Sequence, residues 1–147
     1  AISWDEHHKA SINYSLCIGC GQCVAVCMVD AAKPVFHGTN EALNEKIAEY
    51  AYAVLQDKPS FHVSFIMNVS PNCDCRVVND AAIVPDIGIA ASLDPVALDQ
   101  ACVDLVYAAA DGGDLIQRME SRNGIHTLEH AEAIGLGKRK YQMVGIE

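Results

Sequence analysis

The sequence predicts an α/β fold, a small sheet flanked by helices with a ferredoxin-like cysteine-rich loop near the N-terminus. Three observations carry this reading: apolar residues recur at helical spacing after Thr39 and after Asp94-Pro95, one stretch alternates as a strand does and a second is strand-like, and four cysteines crowd into residues 17–27. With 51% of its 147 residues hydrophobic, the chain can fill a core without disulfides.

Taken in order, residues 1–16 are polar with scattered apolar positions, and "SINYSL" reads as a short strand leading into the cysteine loop. The spacing from Cys23 to Val29 suits a short helix with Cys23 and Cys27 one turn apart on one face. From Thr39 to Lys58 an amphipathic helix is expected, capped by Asn40. Its apolar stripe is Leu43, Ile47, Ala51, Val54 and Leu55, opposite Glu41, Glu45 and Glu49. Lys58-Pro59 stops it. "FHVSFIMNV" then sets Phe61, Val63, Phe65, Met67 and Val69 against His62, Ser64 and Asn68, the pattern of a central strand.

That strand runs into Cys73 and Cys75, placing them beyond a strand's carboxyl end, where open α/β sheets bind ligands. "AAIVPDIGIAAS" is a second strand, with Pro85 marking an edge or an irregularity. Asp94-Pro95 starts a helix that carries Leu98, Ala101, Cys102, Leu105, Val106 and Ala109 and ends at Gly112-Gly113. A last helix from Leu128 to Ile134 stops at "GLG", and "KYQMVGI" reads as a closing strand. The expected division is a cluster-binding segment, 1–38, and an α/β domain, 39–147, which supplies further ligands and forms one compact unit with it.

Composition narrows the function. A formal charge of −9 argues against nucleic-acid binding, since only Lys138, Arg139 and Lys140 cluster. Asp86 and Asp94 interrupt the one long apolar run, so no membrane span is expected, and Trp4 to His8 do not resemble a signal peptide. A cytoplasmic chain is expected. It begins at Ala1 and meets its cysteine run after sixteen residues, which reads as a processed chain or a portion of a longer one.

The spacing C-x2-C-x2-C at Cys17, Cys20 and Cys23 curls a loop so that three thiolates converge, while Gly19 and Gly21 let the backbone bring N–H groups to sulfur. Cys27 completes the bacterial ferredoxin run, in which the fourth cysteine ligates a different cluster. Structural zinc is the alternative, but zinc sites usually pair two C-x2-C units about 15–20 residues apart. Disulfides do not suit a reducing compartment. The fourth ligand is expected from "NCDC": residues two apart in an extended segment point the same way, roughly 7 Å apart, so Cys73 and Cys75 can both face the loop. Cys102 lies on an apolar helix stripe and reads as a small core residue. One 4Fe-4S cluster is therefore expected on Cys17, Cys20, Cys23 and one of Cys73 or Cys75. A second centre, involving Cys27, would need a site with only three cysteine ligands or a non-cysteine ligand such as His37 or Asp74.

"CIGCGQCVAVC", "NEKIAEYAYAV" followed by "NVSPNCDC", "IVPDIGIAASLDPVALDQA" and "LEHAEAIGLG" occur here in that order. In this the chain resembles the uncharacterised iron–sulfur centre proteins, in which a ferredoxin-type run is joined to a domain of unknown function. The resemblance covers most of the chain and implies a further N-terminal region. Met28 stands where the family usually has proline, which loosens the turn after Cys27 without removing a ligand.

Other residues carry weaker signals. Asp94 reads as a helix cap and Asp99 as solvated, whereas Asp74, Asp80 and Asp86 surround the NCDC loop and are candidates for a substrate or cation, turn formation being their default role. His7 and His8 are expected in solvent, and His62, His126 and His130 lack metal-ligand spacing. Three functions follow as expectations. The first is electron transfer to a redox partner protein or a linked N-terminal domain; the second is a redox enzyme with its substrate site at residues 72–86. The third is a structural zinc module.

Overall fold

The structure, a computed structural model, describes residues 1–29, 31–33, 39–71 and 80–146. The chain divides into two compact units, Ala1–His37 and Gly38–Glu147. The described residues form a mixed α/β chain with two antiparallel two-stranded sheets and five helices.

In the first unit, β1 (Ile2–Trp4) pairs with β2 (Ala10–Ile12), Ile2 opposite Ile12. Asp5 closes this hairpin because its Oδ1 accepts the N–H groups of His7 and Lys9, both at 2.8 Å. β2 covers only the start of "SINYSL", and the run gave no sign of β1. Helix α1 (Gln22–Val26) follows. No described residue of this unit is buried.

The second unit begins with α2 (Asn40–Leu55). Its cap is Thr39, whose Oγ1 accepts the Ala42 N–H at 3.2 Å, and the expected cap Asn40 is the first helical residue instead. The buried face differs from the expected stripe. Asn44 and Ala48 are buried, while Leu43, Ile47 and Val54 are exposed. Tertiary packing overrides the apolar pattern here: Asn44 Nδ2 donates to the carbonyls of Arg122 and Asn123 at 3.2 and 2.7 Å, tying α2 to the segment before α5 (His126–Ala133).

Strand β3 (His62–Ile66) pairs antiparallel with β4 (Gly88–Ser92), Ser64 opposite Ala90. Among the described residues β3 has one neighbour, so it is not a central strand, and the rule for ligand sites in open parallel sheets does not apply to it. The burial parity is also the reverse of the expectation. His62, Ser64 and Ile66 face inward, and Val63 and Phe65 face out. Residues 81–87, around Pro85, are irregular, as that proline implied.

Helix α3 (Pro95–Ala108) starts as expected: Asp94 Oδ1 accepts the N–H groups of Val96 at 2.9 Å and Ala97 at 3.1 Å, and Pro95 occupies the first turn. It ends earlier than expected, and Gly112-Gly113 opens α4 (Gly113–Ser121) rather than only closing α3. α5 stops at the expected "GLG". Gly135, at φ 85°, donates to the Glu132 carbonyl and Leu136 donates to that of Ala131, a Schellman ending. "KYQMVGI" forms no strand; Tyr141 instead donates its hydroxyl to Asp104 at 2.8 Å.

Two apolar clusters fill this unit. Ala48, Val96, Leu128 and Ala131 join α2, α3 and α5, and Ile66, Val84 and Val106 join the sheet to α3. No helix among the described residues is long and apolar enough to cross a membrane.

Candidate functional site

The cysteine loop is shaped by local backbone bonding. Asn13 Oδ1 accepts from the Ser15 N–H at 3.1 Å and from its hydroxyl at 2.6 Å, and the turn delivers Cys17, whose N–H donates to the Tyr14 carbonyl at 3.4 Å. Gly19 and Gly21 both stand at φ 72°, and a Cβ at either would meet open space. Conformation, not room, therefore demands glycine there. Cys17 and Cys20 are exposed and Cys23 is half-buried in the first turn of α1.

Cys27 departs from the expected geometry. α1 stops at Val26, and Cys27 takes an extended backbone, φ −82° and ψ 94°, so Cys23 and Cys27 do not share a helix face. Its Sγ accepts the N–H groups of Ala31 at 3.2 Å and Ala32 at 3.4 Å, which is how a protein stabilises a sulfur carrying negative charge. Donor chemistry and backbone conformation thus fit an iron–sulfur group. Among the described residues, however, no three His, Cys, Asp or Glu side chains are gathered to hold a metal ion. Cys73, Cys75, Asp74 and His37 lie outside the described residues.

Cys102 sits apart, packed against the Ile66, Val84 and Val106 cluster. Burial pushes its thiol pKa up, which keeps it protonated and suits a core residue. Asp94 accepts three backbone N–H groups, those of Val96 and Ala97 at Oδ1 and that of Lys138 at Oδ2, the last at 2.8 Å. Asp99 is exposed, yet partial desolvation raises its carboxyl pKa against the opposing pull of His62. Asp86 is committed to the fold, accepting the N–H of Asn68 at 2.9 Å, and Asp80 is exposed. His7 and His8 are exposed.

Two polar groupings escaped the sequence reading. His126 Nε2 lies 3.0 Å from Glu45 Oε1, and His130 Nε2 lies 3.7 Å from Glu49 Oε1, so α5 and α2 face each other through two rungs. The i,i+4 spacing of Glu45 with Glu49 and of His126 with His130 was visible, but the match between the helices was not. The hydrogen bond to Glu45 raises the pKa of His126. A shallow cleft of about 380 Å³ lies between α3, α5 and the C-terminal segment, lined by Gln100, Asp104, Glu132, Arg139, Lys140 and Tyr141. Arg139 is already engaged there, its Nε donating to Gln100 at 2.8 Å.

No curated protein and no solved structure matches the chain. The family model described as "Domain of unknown function (DUF362)" matches residues 16–104, from the residue before Cys17 to the middle of α3. That stretch is more than half of the sequence, and the chain belongs to the DUF362 family of domains of unknown function.

Proposed function

We propose that this protein holds one 4Fe-4S cluster on Cys17, Cys20, Cys23 and one of Cys73 or Cys75, and that it works in electron transfer in the reducing cytoplasm. The observation that carries the proposal is the pair of left-handed glycines, Gly19 and Gly21, set between successive thiols. Left-handed backbone turns N–H groups toward a concave side, where they stabilise thiolate and sulfide charge. Bound there, the cluster would supply a one-electron couple. The chain's own residues contribute the soft thiolate donors, the positive-φ glycines between them and solvent access at Cys17 and Cys20, through which a redox partner protein or a linked N-terminal domain would exchange the electron. Cys27, with its two N–H donors, is the residue for a second centre.

Anaerobic purification followed by dithionite reduction tests this. A brown protein is expected, whose visible absorbance bleaches and whose reduced form gives an EPR signal. Colourless protein with stoichiometric zinc would replace the redox reading by a structural one. Single Cys73→Ser and Cys75→Ser variants address the fourth ligand, and that assignment fails if neither lowers cluster content.

A further inference from the structure

The outward face of the β3–β4 sheet is apolar throughout. Within the paired strands it presents Val63, Phe65, Ile89 and Ala91, with Val63 opposite Ala91 and Phe65 opposite Ile89. Phe61 and Leu93 flank it. Phe61, Phe65, Ile89 and Leu93 are 66%, 68%, 63% and 76% exposed. The other face is covered by α3, which packs on both strands. Strand alternation in this region therefore places its more apolar side away from the chain's own core.

We infer that this face is a self-association surface on which a second copy of the chain packs, sheet against sheet. Area supports a second copy. With typical side-chain areas, the exposed parts of Phe61, Val63, Phe65, Ile89 and Leu93 sum to on the order of 600–700 Å². That reaches the top of what a monomer usually leaves uncovered and approaches the ~800 Å² that each partner contributes to a stable dimer. Charge supports it too. Each copy carries −9, and this face has no charged side chain, so a second copy meets it without like-charge juxtaposition. The exposed stripe of α2 is flanked by Glu45, Lys46 and Glu49 and lacks that property.

Sedimentation of the full chain across protein concentrations tests the inference. A discrete dimer is expected, and Phe65→Asp should raise its dissociation constant on the order of a hundredfold or more, as a charge at an interface centre does. Ile47→Asp on α2 should leave it unchanged. Far-UV circular dichroism reports whether each variant folds, and Leu93→Lys, beyond the end of β4, gives the same reading if Phe65→Asp does not fold. A monomer at all concentrations, open-ended polymers, or a dimer indifferent to Phe65→Asp or Leu93→Lys would overturn the inference.

Discussion

In residues 1–37 every described side chain reaches solvent to some degree, and the hydrogen bonds that shape the unit run within one hairpin and one loop. In residues 38–147, two apolar clusters and polar ties between distant segments hold the helices and sheet together. Asn44 reaches Arg122 and Asn123, and Asp94 reaches Lys138. A segment without a core needs another source of order, and a bound metal centre is one such source. The contrast teaches that the two units should respond to different insults.

Removal of the proposed cluster is expected to have the largest effect, centred on the cysteine loop of the first unit. After anaerobic chelation, amide exchange across residues 17–27 should accelerate by orders of magnitude while α3 and α5 stay protected. Equal loss of protection in both units would break the contrast. Next in size, Gly137→Ala drives a Cβ into the Asp94 carboxylate that caps α3 and binds Lys138. About 2–4 kcal/mol of destabilisation is expected, read as a lower urea midpoint, with cluster content unchanged. Asn44→Ala should cost about 1–3 kcal/mol by leaving the Arg122 and Asn123 carbonyls without their donor.

The smallest effect is a pH dependence. The Glu45 hydrogen bond raises the folded pKa of His126 above its ordinary value of 6.5. Protonation thus favours the fold: the contribution is complete below the unfolded pKa and is lost as pH rises through the folded one. Urea midpoints should fall modestly from pH 6 upward, and His126→Gln should flatten that slope. A slope of the opposite sign would remove the rung between α2 and α5 from the account.

Much of the fold was legible. Asp94-Pro95 and "GLG" marked helix ends because capping is local chemistry, carried by the residues at the boundary. The mixed α/β class followed from two clear periods. What the pattern could not supply was which face each period buries. Alternation from Phe61 to Val69 defines two faces of a strand, but α3 chose the side bearing His62, Ser64 and Ile66, and the phenylalanines were left outside. The α2 stripe failed in the same way, with Asn44 and Ala48 turned inward in place of Leu43 and Ile47. Strand β1 and helix α4 were missed, the first because three residues are too few to show a period and the second because it opens on a glycine pair that reads as a stop. For the site, the C-x2-C-x2-C spacing pointed to the loop, and of that reading the positive φ expected at Gly19 and Gly21 is found. The exit of Cys27 from its helix was not legible, since it depends on where α1 ends.

Iron and acid-labile sulfide counted per chain in anaerobically purified protein test the central claim most directly. The proposal predicts about four of each in the parent chain, as one 4Fe-4S cluster requires, and their joint loss in Cys20→Ser. One zinc per chain with no iron or sulfide would contradict it.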